Sequence, residues 1–191
     1  MNTSQKIKKI TGLGILIAIT IVFGVLGNYV SIGPVNFNLS LVPISIAAIL
    51  YGPLAGLFVG IVNAIVVLVA PGTAGFLAFN AFGTIVIVLL KTGLAGLVSG
   101  LLYKLLSKFN FTVAVIISCI IVPLVNTGIF TIGSFTVFSG YLFAGVENPF
   151  VYYCLTLIGW NFIFEVTASA VLSPTVVTIL KVINKKHNLG I

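Results

Sequence analysis

Charged side chains are scarce in this chain, and their scarcity excludes an ordinary soluble domain. Of the 191 residues, 6% are charged and 60% are hydrophobic, whereas soluble domains carry roughly 25% charged residues. The sequence has no arginine, so the net charge of +7 comes from an excess of lysine over acids. In a chain this apolar, a basic excess marks the cytoplasmic ends of membrane helices rather than a nucleic-acid-binding surface.

Residues that commonly carry catalysis or bind metals are equally sparse. The single histidine, His187, lies in the basic tail, and the two cysteines, Cys119 and Cys154, lie in apolar runs without metal-ligand spacing. The stretch "GPLAGLFVG" (52–60) has glycines four apart but no following Lys-Ser/Thr, which indicates a helix-packing stripe rather than a phosphate loop. The sequence therefore predicts no enzyme, no cofactor and no metal site.

Long apolar runs are what the sequence does contain. In lipid every backbone polar group must be paired within the protein, so spanning segments are helices or closed barrels. These runs do not alternate with the period of two that barrel strands show. We therefore expect an all-α membrane protein with a single domain, residues 1–191, and six transmembrane helices. The candidate spans are 10–30, 39–50, 53–69, 84–106, 113–130 and 151–183, the second being short for a full crossing.

The lysines predict the orientation of these spans. Eight of them lie before the first span, around the end of the fourth span or around the end of the sixth: Lys6, Lys8, Lys9, Lys104, Lys108, Lys181, Lys185 and Lys186. With six spans all three clusters fall on one side, and the positive-inside rule places both termini in the cytoplasm. The first apolar run lacks a small-residue cleavage site, so we expect a retained span rather than a signal peptide.

Two charged residues lie away from the ends of the predicted spans, and such residues are functional candidates because burying charge in lipid is costly. Lys91 lies in the outer half of the fourth span and Glu165 lies near the middle of the sixth. Lys91 could meet an anionic ligand that enters from outside. It could instead form an ion pair with Glu165, or extend to the outer interface.

Neutral polar residues accompany these two charges. Asn36 and Asn38 lie in the first outer loop, Asn80 lies before the fourth span, and Asn126 lies in the fifth, three residues after a proline. Each asparagine alone is more often a contact between helices than a ligand contact. Together they predict a pocket with amide donors and acceptors in the outer half.

The sixth predicted span adds two further candidates. Trp160 lies deeper than an interfacial aromatic belt and could be a stacking platform. Asn161 lies four residues before Glu165, so the two share one helix face.

The chain resembles the substrate-binding S components of energy-coupling factor (ECF) vitamin transporters, and the resemblance covers nearly its whole length. "KKITGLGILIAITIVFGVLG" is similar to the first span of that family. Its Gly14-x-x-x-Ala18 stands where the family carries an Ala-x-x-x-Ala motif that docks on the transmembrane coupling subunit. "VNFNLSLVPISIAAILYGPLAGLFVGIVN" is similar to the second and third spans of the family.

The resemblance implies a high-affinity vitamin binder in the bacterial cytoplasmic membrane. The ligand is expected in the outer half, under the loops after spans one, three and five and against spans four to six. A partner T component and two ATPase subunits are expected to supply the power stroke, and the S component is expected to topple in the membrane to release the vitamin.

The resemblance is greatest to the pantothenate-type S components, through the pattern "NFNLSLVP…YGP…GLAGLVSGLLYK…PLVNTGIF". Lys91 could pair with the carboxylate of pantothenate, and the asparagines could bind its amide and hydroxyls. Folate and riboflavin remain alternatives. A stand-alone ion-coupled carrier with Glu165 as its proton site is a second functional class.

Overall fold

The computed structural model describes residues 3–29, 31–32, 35–36 and 39–187, and most of them are helical. The helices are α1 (Thr3–Tyr29), α2 (Leu41–Tyr51), α3 (Pro53–Leu68), α4 (Ala74–Phe79), α5 (Ala81–Leu106), α6 (Phe111–Thr136), α7 (Ser139–Leu142), α8 (Pro149–Tyr152) and α9 (Gly159–His187). Between α1 and α2, β1 (Ser31–Ile32) pairs antiparallel with β2 (Val35–Asn36).

The apolar helices confirm an all-α membrane protein. Among the described residues, four helical stretches are long and apolar enough to cross a membrane: Lys6–Gly27, Ala81–Leu106, Phe111–Thr136 and Gly159–Val182. A fifth candidate is the pair Pro53–Leu68 and Pro71–Phe79, which is bent by 78°. The second predicted span corresponds to α2, whose 11 residues rise only about 16 Å, roughly half of the hydrocarbon core. Six spans with both termini inside therefore stay a prediction.

Several predicted boundaries differ from the structure. The fourth span begins at Ala81 rather than at residue 84, because the Asn80 side chain accepts a hydrogen bond from the Gly83 N–H and caps the helix. The fifth span continues to Thr136 rather than ending at residue 130, since no proline interrupts the run after Pro123.

The sixth predicted span is divided. The stretch 151–183 comprises the end of α8, a π-helical segment at Tyr153–Ile158 and most of α9. A π-helix has more residues per turn than an α-helix, so this helical turn before α9 accommodates one extra residue. A Cβ at Gly159 would collide with the Cys154 carbonyl oxygen, which explains the glycine where the segment ends.

Long helices alternate in direction, which defines two ends of the bundle. Gly12, near the start of α1, faces the Tyr51 hydroxyl at the end of α2, and Gly100, near the end of α5, meets Pro53 at the start of α3. A core cluster packs Tyr103 of α5 against Leu180 of α9. The described lysines other than Lys91 lie at this end, which we call the lysine end; the opposite one is the cavity end.

Glycines bring α3 and α5 into direct backbone contact. A Cβ at Gly56 would lie 2.5 Å from the Gly96 carbonyl oxygen, and a Cβ at Gly60 would collide with the Thr92 carbonyl. Close approach of this kind is how membrane helices gain packing contacts without a hydrophobic driving force. The predicted packing stripe is thus confirmed for Gly56 and Gly60. Gly52 instead forms the turn between α2 and α3 with φ of 95°.

The short helix α2 occupies the axis of the bundle. It packs against α1, α3, α5, α6 and α9, and Leu41, Ile44 and Ala47 are buried there with Val59 of α3. Because α2 rises only about half as far as a full span, it fills the axis in one half of the bundle alone. It contributes no described residue to the cavity considered next.

Candidate functional site

A cavity of about 350 Å³ lies at the cavity end of the bundle. Its walls come from the last turns of α1 and α3, the first half of α5, the second half of α6 and the first turns of α9. These are the five helices that surround α2 at the lysine end. The volume lies near the lower limit of the roughly 300–1,000 Å³ typical of small-molecule sites.

Lys91 on α5 lines this cavity and lies against an aromatic ring. Its Nζ is 4.8 Å from the centroid of the Phe130 ring on α6. This is within the roughly 6 Å at which a cation is attracted by the ring face. Glu165 on α9 also lines the cavity and acts electrostatically on Lys91. Both interpretations of Lys91 that involve the bundle interior, ligand contact and pairing with Glu165, are compatible with this geometry.

Asn126 provides an amide in the same wall. Asn126 is 5% exposed and lines the cavity. A polar ligand in the cavity could therefore exchange hydrogen bonds with its amide, which carries both donors and an acceptor. Asn161 joins the same lining from α9.

An aromatic cluster covers the cavity at its membrane-surface side. Phe76 of α4 contacts Phe130, Phe138 and Tyr141 edge-on, with ring centroids 5.9, 4.9 and 5.3 Å apart. Phe138 is 1% exposed. The loop predicted to break the third span from the fourth contributes Gly72, Thr73 and Phe76 to the lining. The cover is therefore formed by α4 and the residues around α7.

Half of the predicted ligand-binding residues come together in this lining, namely Lys91, Asn126, Asn161 and Glu165. Asn80 is exposed and caps α5. Trp160 is 62% exposed and is absent from the described lining, so its indole faces away from the cavity. Asn38 lies outside the described residues.

Of Asn36 the structure describes only the backbone, in β2, where it pairs with Ser31. The prediction that Asn36 binds the ligand therefore stays a prediction.

Several lining residues were not predicted from the sequence. They are the threonines Thr73, Thr84 and Thr127 and the phenylalanines Phe76, Phe130, Phe138 and Phe162. The hydroxyls of Thr73 and Thr84 donate to the backbone carbonyls of Val67 and Asn80, so their oxygens can still accept a hydrogen bond. The sequence contains 15 phenylalanines, and nothing in their spacing distinguishes these four.

A fully buried amide without a described hydrogen-bond partner lies beside the cavity. Asn63 of α3 is fully buried, and neither its Nδ2 nor its Oδ1 has a hydrogen-bond partner among the described residues. A Cβ at Gly24 of α1 would lie 3.2 Å from this Oδ1. Asn63 therefore belongs to the α1–α3 contact, one turn below Val67, which does line the cavity.

The predicted docking residues lie on the outer surface of α1. Gly14 and Ala18 are both exposed, and a Cβ at Gly14 would meet no atom within 4 Å. Leu13, Leu16 and Ile17 instead face the core. The small residues thus leave a flat strip on the side of α1 that no other described element covers.

These features define a class of protein: a membrane-embedded helical bundle that encloses a polar-lined cavity for a small molecule. A family model described as "ECF transporter, substrate-specific component" matches residues 8–180, and the chain belongs to this family. Membership makes the protein a transport component rather than an enzyme. It implies a small-molecule substrate and ECF T and ATPase partners in a membrane. No curated protein and no solved structure gives a significant match.

Proposed function

We propose that this protein is the high-affinity vitamin-binding subunit of an ATP-driven importer in a bacterial cytoplasmic membrane, and that its ligand is pantothenate. The observation that carries the proposal is one cavity lined by a lysine, two asparagines and threonines. Lys91 would pair with the carboxylate of the vitamin. The side-chain amides of Asn126 and Asn161 would form hydrogen bonds with the amide and the hydroxyl groups of pantothenate.

The size of the cavity supports a small ligand. Folate has more than twice as many non-hydrogen atoms as pantothenate, whereas the cavity has only about 350 Å³. Trp160, the expected stacking platform, lies outside the described lining. The phenylalanines of the lining could still flank a flat ring, which keeps folate and riboflavin as the second candidates.

The two short elements α4 and α7 cover the cavity at the end of the bundle opposite the lysines. This position supports entry of the ligand from that side of the membrane. With the positive-inside rule, this side is the outside. Gly14 and Ala18 would form the docking strip for the T component, because their small side chains let a partner helix approach the backbone of α1.

Identification of the bound ligand tests the proposal directly. Native mass spectrometry of the purified protein should show a mass increase that matches pantothenate, since a tight ligand survives purification. Isothermal titration calorimetry with pantothenate, folate and riboflavin then ranks their affinities. A preference for riboflavin or folate would replace the proposed vitamin while retaining the binding role.

A transport assay distinguishes the subunit from a stand-alone carrier. Reconstituted alone in vesicles, the protein should bind the vitamin without accumulating it, and accumulation should require the T component, the ATPases and ATP. Accumulation by the lone protein in proportion to an imposed proton gradient would establish an ion-coupled carrier instead.

A further inference from the structure

The cavity holds one side chain of each charge sign. Lys91 and Glu165 line it from α5 and α9, and they interact electrostatically. Among the described residues of the lining, these two are the only ionisable ones. With both charged, the cavity is neutral before a ligand enters.

No other described cation faces Glu165 from the elements that pack against α9. The elements in most extensive contact with α9 are α6, α2, β2 and the π-helical segment. Their titratable side chains are Cys119 on α6, Tyr51 on α2, and Tyr153 and Cys154 in the segment, all thiols or phenols, which carry no positive charge in either protonation state. The lysines of α9 lie in its last turns, at the lysine end of the bundle, far along the helix from Glu165. Glu165 therefore has Lys91 as its counter-charge within the cavity.

An anionic ligand changes this balance. A ligand carboxylate placed against Lys91 leaves two negative groups and one positive group in an enclosed, low-dielectric space. Like charges that share such a site cannot both remain ionised at low cost, and one of the two carboxyl groups retains a proton. Glu165 acts electrostatically on Lys91, so the ligand carboxylate would compete with it as the counter-charge of this lysine.

We infer that the cavity binds its anionic ligand together with one proton, which Glu165 takes up from solvent. The inference rests on the proposed function. The ligand carboxylate replaces that of Glu165 as the counter-charge of Lys91, and no covalent bond other than the new O–H changes. The protonated Glu165 can then donate a hydrogen bond to the ligand or to a neighbouring side chain.

The direction of the pH effect follows from the extra proton in the complex. Affinity strengthens as pH falls, over the range in which Glu165 is ionised in the free protein and protonated in the complex. In this range the dissociation constant changes by up to about tenfold per pH unit. A ligand without a carboxylate, such as riboflavin, should bind without this dependence.

Calorimetry in several buffers measures the proton uptake. Pantothenate is titrated into the purified full-length protein at one pH in phosphate, HEPES and Tris, which differ in ionisation enthalpy. The slope of the observed enthalpy against the ionisation enthalpy gives the number of protons taken up. We expect about one for the wild type.

Two matched variants locate the proton. Glu165→Gln carries a neutral side chain of nearly the same shape, and we expect tighter binding near neutral pH with a slope near zero. Glu147→Gln changes the other acid of the chain, which is exposed and outside the described lining, and we expect the wild-type slope. A merely structural role of Glu165 would instead weaken binding of the Gln variant at every pH.

Each outcome is decisive. A wild-type slope near zero, or a slope retained by Glu165→Gln, overturns the proton linkage while leaving the vitamin-binding role intact. If neither pantothenate nor folate binds, the proposed anionic ligand is wrong, and the linkage that rests on it is overturned with it.

Discussion

At the scale of single residues, Lys91 has the most specific environment. It lies ten residues after the start of α5, in the first half of this 26-residue helix. A lysine within an apolar span needs compensating groups, and the Phe130 ring and Glu165 act on it there. Under the proposed function, the same ammonium would bind the carboxylate of the ligand.

Replacement of Lys91 by alanine should weaken binding of pantothenate about ten- to a hundredfold. The physical reason is the loss of one charge-assisted hydrogen bond, worth about 1.5–3 kcal/mol. Isothermal titration calorimetry measures the effect. Lys104→Ala, at the exposed lysine end of the same helix, is the matched control and should bind normally. Unchanged affinity of Lys91→Ala would remove this lysine from the site.

Replacement of Asn63 by leucine should raise the thermal unfolding midpoint in detergent. Leucine has a similar shape, and it removes an unpaired buried amide whose desolvation costs about 1–3 kcal/mol. Vitamin affinity, measured in parallel, should remain near the wild-type value because Asn63 is outside the described lining. A lower midpoint would show that the amide is satisfied, for example by a bound water molecule.

Polar residues in apolar runs were the part of the site that the sequence could predict. Lys91, Asn126, Asn161 and Glu165 are conspicuous because lipid offers no partner for them. Asn80 caps α5, and the sequence alone does not distinguish an asparagine that caps a helix from one that contacts a ligand. The phenylalanines of the lining could not be selected, because their role depends on which helix faces meet.

At the scale of secondary-structure elements, the contact between α3 and α5 is the tightest packing in the bundle. Gly56, Gly60 and Gly96 let the two backbones touch. Sequence spacing predicted the stripe on α3 but could not identify its partner. Helix boundaries were predicted within a few residues where glycine and proline mark them. The π-helical segment was missed, because nothing in "YCLTLI" distinguishes it from an α-helix.

Replacement of Gly96 by alanine should destabilise the protein by about 1–3 kcal/mol, since the new methyl group would collide with the Gly56 carbonyl. Thermal or denaturant unfolding in detergent measures the loss. Gly128→Ala is the matched control, because this glycine is also helical and a Cβ there meets nothing within 4 Å. Equal midpoints for the two variants would contradict direct backbone contact.

At the scale of the whole molecule, α1 is the least buried of the four long spans. Its core-facing side packs on α2 and α3, whereas Gly14 and Ala18 lie on the exposed side. The cavity and this strip are separate parts of the surface. A ligand in the cavity would therefore leave this strip accessible to the proposed partner subunit.

Replacement of Gly14 or Ala18 by tryptophan should abolish assembly with the T component and the ATPases while vitamin binding persists, because the bulky ring blocks helix approach. Co-purification of the subunits and calorimetry measure the two properties. Ile19→Trp is the control, since Ile19 is also exposed but lies about 100° around the helix from Ala18. Loss of vitamin binding with retained assembly would contradict the docking assignment.

The π-helical segment before α9 has a consequence for how this part of the chain tolerates a change of length. Its wider turn absorbs one extra residue, so deleting one residue from Tyr153–Ile158 would restore an ordinary α-helical turn and leave α9 in nearly the same rotation relative to α8. Asn161 and Glu165 would then keep their places in the lining of the cavity. A deletion between Gly159 and Asn161 would instead rotate the residues that follow it by about 100° and turn both side chains away from the cavity.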